Sequence, residues 1–187
     1  FAGFEALRFN LAGTDYEHTE FEGTEIGTVF ESDTLDGRLE LEHQEWAGFR
    51  GAFGGQYTDT DFSAIGEEAF VPPSVTERWA LFLVESIEEG PLRLDLGLRY
   101  EDVSVEARPT EGAAQPPGGE TRRSFDALSY SAGLVWHATE NGHLAFTLGH
   151  AERAPDATRI SSSCASSSSK AVLPRLNIVM LWPRALA

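Results

Sequence analysis

The 187-residue sequence is poor in residues that usually announce a chemistry. It has one cysteine, Cys164, and one methionine, Met180, and its only lysine, Lys170, lies in the same final stretch. A lone cysteine excludes a disulfide framework and a cysteine-rich zinc site. No run approaches the roughly 18 to 20 consecutive apolar residues that a membrane-spanning helix requires, and the N-terminus lacks the basic, then apolar, then small-residue order of a signal peptide. A membrane could therefore be crossed only by strands. Enzyme motifs are missing as well: there is no Gly-x-Ser-x-Gly elbow, no His-Glu-x-x-His and no Gly-x-x-x-x-Gly-Lys phosphate loop. The glycines of Gly51-Ala52-Phe53-Gly54-Gly55 fall inside strand-like sequence with no helix after them, so they mark close strand approach or curvature. No enzyme is expected. The abrupt start in strand-like sequence makes a fragment the expectation, with any export signal upstream of Phe1.

Basic charge is also scarce. The formal net charge is -16, from 14 Lys and Arg against 30 Asp and Glu. Four of those bases, Arg159, Lys170, Arg175 and Arg184, occupy an acid-free tail, which leaves ten bases against all 30 acids in residues 1–158. Such a body repels nucleic acid and attracts cations. The tail itself, residues 159–187, is nearly all serine from Ser161 to Ser169 and then apolar with scattered proline. It reads as foreign to the body, frameshifted or disordered.

What is abundant is alternation. Residues Leu92 to Tyr100 place Leu92, Leu94, Leu96, Leu98 and Tyr100 on one face and Arg93, Asp95, Gly97 and Arg99 on the other. Side chains in a strand alternate with period 2, so this is a ribbon between two solvents: a half-buried soluble strand, or a barrel strand between lipid and a wet lumen. The pattern recurs in stretches near 5–16, 25–32, 34–45, 47–60, 76–88, 91–103, 124–138 and 142–152, with no helical periodicity. If Glu25 to Glu45 is one strand, there are seven, and their connections alternate strictly. Short links fall at Gln44–Ala47, Glu88–Pro91 and Ala138–Gly142, and long ones at Glu17–Thr24, Asp61–Val75 and Ser104–Arg123. Outer-membrane barrels segregate short periplasmic turns from long external loops, and a soluble sandwich has no reason to. The expectation is an all-β fold: antiparallel transmembrane β-barrel strands forming a partial, incomplete barrel over residues 1–158.

Three local patterns sharpen this. Asp15-Tyr16-Glu17-His18-Thr19-Glu20 is followed by Gly27-Thr28-Val29-Phe30. Ser63-Ala64-Ile65-Gly66-Glu67-Glu68-Ala69-Phe70-Val71-Pro72-Pro73 comes next, and Ala151-Glu152-Arg153-Ala154-Pro155-Asp156-Ala157-Thr158 last. In this order they resemble the barrel of TonB-dependent outer-membrane receptors, the middle one most like the branch that takes up zinc or other metals. After Thr158 the resemblance stops, since Arg159-Ile160-Ser161 stands where the family reads Glu-Leu-Phe. The resemblance implies energy-coupled import across the bacterial outer membrane, with membrane lipid, the TonB energy-transducing complex and a metal ion or metal chelate as partners. It implies no resident cofactor, only a transported zinc or iron chelate. The family's N-terminal plug, its TonB-gripping motif and its barrel-closing last strand are not found in these residues. A siderophore or vitamin receptor is the alternative within the family. A soluble β-sandwich or jelly-roll carbohydrate-binding module is the alternative outside it.

Candidate metal ligands are His18 with Glu20 and Glu22, flanked by Glu17 and Glu25, and Asp59, Asp61, Glu67 and Glu68, all placed in external loops. Imidazole with carboxylate suits Zn²⁺, and carboxylates alone suit Ca²⁺. The competing reading is that acidic loops simply stay solvated or bridge lipopolysaccharide through divalent ions. His43, His137 and His143 fall beside short turns and His150 near an external end, where structural or interfacial roles are expected. Arg93, Asp95, Arg99 and Glu101 read as cross-strand ion pairs in a wet lumen.

Overall fold

The computed structural model describes residues 3–66, 72–108, 122–139 and 142–154 in full, and 175–181 as backbone. They form strands throughout: β1 (Phe4–Glu22), β2 (Glu25–Trp46), β3 (Phe49–Gly66), β4 (Ser74–Glu89), β5 (Leu92–Ala107), β6 (Arg122–Thr139), β7 (Gly142–His150) and β8 (Arg175–Leu181). The eight make one sheet in sequential order, every neighbouring pair antiparallel. This is the meander of an unclosed barrel wall.

Residues 25–46 are indeed a single strand. The expected break near Ser32 to Thr34 does not form, because β1 and β3 pair with β2 continuously through it, as in Thr14↔Thr34↔Thr60. One expected long loop is also absent. β1 and β2 stay paired as far as Glu22↔Glu25 and turn on Gly23 and Thr24 alone. Thr19, Phe21, Ile26 and Val29 are good strand formers, and Gly23 takes the positive φ (64°) that such a two-residue hairpin needs. At the opposite end Ala47 (φ 53°) and Gly48 (φ 86°) close β2 to β3, as Gly90 and Pro91 close β4 to β5. The remaining links at the first end, residues 67–73 and 108–121, are longer. β8 lies within the segment expected to be a foreign tail, yet it extends the sheet by pairing with β7 from His143↔Leu181 to Gly149↔Arg175.

The two faces are packed in inverse order to a soluble protein. Leu7, Phe9, Leu11, Leu39, Leu81, Leu83, Leu98, Leu128 and Leu148 share the outer face and are exposed, Leu81 at 67%. The covered residues sit mostly on the other face: Ala52, Ala64, Ala80, Phe82, Val103, Val105 and Ala127. A sandwich would lay a second sheet over the leucines, and the described residues form one sheet only. So large a contiguous apolar surface fits a hydrocarbon solvent. Leu92 to Tyr100 cover about 26 Å along the strand, or roughly 20 Å along the membrane normal at a tilt of about 40°, close to the ~25 Å apolar band of such barrels. Aromatics mark its loop-side edge: Tyr57 and Trp79 pair across β3 and β4 with ring centroids 4.3 Å apart. A polar interruption of the band is the contact of His43 Nε2 with Glu85 Oε1 at 2.9 Å, which leaves Glu85 Oε2 buried without a partner.

Two measurements follow. Leu98→Arg should cost about 2 to 4 kcal/mol in denaturant unfolding from lipid vesicles, while Ser131→Arg on the opposite face should cost little. Ala47→Gly should raise stability by about 0.5 to 1 kcal/mol, because it removes a Cβ from a left-handed backbone position.

Candidate functional site

The inner, polar face is the surface a solute would meet, and it is zoned along the strands. Nearest the short turns lies a lattice of ions. Arg8 contacts Glu42 (2.6 Å) and Glu40 (3.0 Å), and Arg38 contacts Glu40 (2.9 Å). Arg99 pairs with Glu101 at 2.6 Å and donates to Gln56 Oε1 at 3.2 Å, while Gln56 Nε2 and Thr58 Oγ1 both donate to Asp36 Oδ2. The expected cross-strand pairing of Arg93, Asp95, Arg99 and Glu101 does not form, and the ion pairs run along β5 instead, as Arg93–Asp95 and Arg99–Glu101. Residues two apart share a face, so the nearest acid is on the same strand.

The Arg38 guanidinium lies 4.0 Å from the centroid of the Phe82 ring, a cation–π contact beside an open depression also lined by Arg99, Ser129 and His150. Gly54 makes that contact possible. A Cβ there would sit 2.6 Å from Phe82 Cζ and against the Leu39 carbonyl oxygen. Further along comes a row of threonines, Thr14↔Thr34↔Thr60↔Thr76, with Thr34 and Thr60 hydroxyls 3.1 Å apart.

At the long-loop end the inner face becomes aromatic. His18 stacks on Phe30, centroids 4.6 Å apart and planes within 7°, with Tyr16 on one side and Phe62 beyond Phe30. His18 Nε2 is 3.7 Å from Glu20 Oε1, and His18 Nδ1 is buried without a hydrogen-bond partner. Sequence reasoning found His18 and Glu20 but missed Tyr16, Phe30 and Phe62. The signal was available, since Tyr16, His18 and Glu20 alternate as a strand would, once the β1 hairpin is extended.

The candidate ligands expected in external loops lie elsewhere. His18, Glu20 and Glu22 belong to β1, and Asp59 and Asp61 to β3, because both hairpins remain paired beyond the apolar band. His18 and Glu20 face inward, whereas Asp59 and Asp61 face outward, so the sheet separates them. Asp59 accepts from Tyr57 Oη at 3.4 Å, and Asp61 pairs with Arg108 at 3.0 Å. Glu22 sits at the turn opposite Glu25. Glu67 and Glu68 lie outside the described residues. Among the described residues no three His, Cys, Asp or Glu side chains gather as a metal-holding group. Outward and beyond the band, Asp15, Asp33 and Asp61 stand opposite one another. A hydrogen bond with Asp15, then desolvation, raises the Asp33 carboxyl above the ordinary carboxylate range.

The end of β7 is closed by one carboxylate. Glu152 Oε2 accepts from the Leu128 amide at 3.0 Å, and its backbone exchanges hydrogen bonds with the Ser129 hydroxyl, replacing the ladder that β7 no longer provides. The chain then dips onto the inner face, where Ala154 packs with Val103, Val105 and Phe125. The sequence model of a family described as TonB dependent receptor-like, beta-barrel, matches residues 3–174.

Gly54→Leu should dislodge Phe82 from beneath Arg38 and cost about 1 to 3 kcal/mol by overpacking, read as a lower denaturant midpoint with strand content retained.

Proposed function

This chain belongs to the TonB dependent receptor-like β-barrel family, and we propose that the barrel its strands help to build imports a metal ion or metal chelate. Family membership carries the coarser statement: these are receptors and transporters of the bacterial outer membrane, not enzymes. The substrate reading rests on one observation, the inward-facing group of Tyr16, His18, Glu20, Phe30 and Phe62 at the long-loop end.

An imidazole with a free nitrogen beside a carboxylate suits a borderline metal such as Zn²⁺. The stacked rings around it suit the flat or apolar parts of a chelator. His18 and Glu20 lie near the long-loop end of that wall, and the threonines and the Arg–Glu lattice below offer exchangeable hydrogen bonds along it. Paired charges spaced down a wet wall hold a polar solute weakly at many points, which suits passage better than retention. Energy would come from the TonB complex acting on a plug region, with the barrel wall as the static partner.

A siderophore or vitamin receptor is the second reading, favoured by the aromatic share of the same group. The two separate in uptake by cells producing the receptor that contains these strands. His18→Ala and Glu20→Gln should each lower high-affinity uptake of radiolabelled zinc several-fold and leave ferric-chelate and vitamin-limited growth unchanged. Unchanged zinc uptake in both variants, with loss of ferric-chelate uptake in Phe30→Ala, would overturn the metal-ion reading.

A further inference from the structure

We propose that His137 and His143 form a two-imidazole site for a divalent late-transition metal ion, on the inner face at the short-turn end of the β6–β7 hairpin. The two residues stand directly opposite each other across the antiparallel pair. Their ring centroids are 5.8 Å apart and their planes are inclined by 49°. Two imidazoles bound to one tetrahedral ion at about 2.0 to 2.1 Å place their ring centres roughly 5 to 6 Å apart, so the pair is spaced for a shared ion.

Both side chains are accessible, and among the described residues neither imidazole makes a hydrogen bond. Two other histidines differ: His43 is tied to Gln44 and Glu85, and His150 to Glu152. The next row on the same face is Val135↔Ala145, which offers no ligand, so water would complete the coordination. Two imidazole nitrogens, with no carboxylate beside them among the described residues, disfavour Ca²⁺ and Mg²⁺, which need oxygen. It suits Cu²⁺, Ni²⁺ or Zn²⁺, and the usual order of affinities puts Cu²⁺ above Zn²⁺.

A bound ion would cross-link β6 and β7 beside their turn. The site does not rest on the substrate reading above, because it uses neither His18 nor Glu20 and lies at the opposite end of the wall.

The test is titration of the full chain, folded in detergent, with Cu²⁺ and with Zn²⁺. Calorimetry on His18→Asn protein should give a site preferring Cu²⁺, and its Cu²⁺ paramagnetic resonance spectrum should show two coordinated imidazole nitrogens. His137→Asn and His143→Asn, which keep a polar side chain beside the turn, should each weaken Cu²⁺ binding on the order of tenfold or more and leave one nitrogen. His18→Asn should leave this binding unchanged. Cu²⁺ affinity unaltered by both hairpin variants, or abolished only by His18→Asn, would overturn the proposal.

Discussion

Everything in this structure follows from the need to satisfy backbone polar groups where water is absent. In hydrocarbon an unpaired N–H or C=O costs several kcal/mol, so strands can cross a bilayer only when each is paired on both sides. The sheet meets that need for β2 to β7 by the shortest route, pairing each with its neighbours in sequence. Sequential antiparallel order keeps the connections at the two ends, in water, and leaves the whole outer surface free for lipid. Leu81 and Leu98 are exposed for that reason.

The same constraint sets the inner face. Most large apolar side chains of the band point outward, and below the aromatic zone the inner rows are largely built from small residues and from charges that neutralise one another. Ala52, Ala80 and Ala127 are covered there, and Arg8, Arg38 and Arg99 each meet a glutamate. Such pairs add little stability when wetted, on the order of 0 to 1 kcal/mol, but they fix the position of charge along the wall. Fold and transport are linked at this point. In the proposed function the wall would offer a solute an aromatic zone, a hydroxyl zone and an ionic zone in turn, each held by strand register.

Glu152 shows how such a wall is edited. Where β7 stops at His150, the carboxylate and backbone of Glu152 take over the hydrogen bonds of Leu128 and Ser129, and Ala154 is carried onto the inner face against Val103. The first part of the Ala151 to Thr158 pattern that resembled the family in sequence, Ala151 to Ala154, therefore has a mechanical meaning: it ends a strand without orphaning its neighbour's amides.

The alternation of Leu92 to Tyr100 was enough to define a two-faced strand, and the scarcity of helical periodicity was enough to define an all-β chain. The short links near Ala47 and Pro91 and the opposed polar face could be drawn from residue order alone, since period 2 leaves no freedom of face once a strand is assigned. Length of pairing was not legible. Polar strand formers around Thr19 and Thr60 look like loop, and only their partners across the sheet made them strand, which moved His18, Glu20, Asp59 and Asp61 out of the loops. Nor could one dimension place His18 on Phe30 or His137 opposite His143, because those contacts depend on the register between strands. The sequence by itself determined which side chains share a face of each strand. The tertiary structure decided which solvent each face meets and which residues from different strands stand together, because pairing distance and register are properties of the sheet and not of any strand.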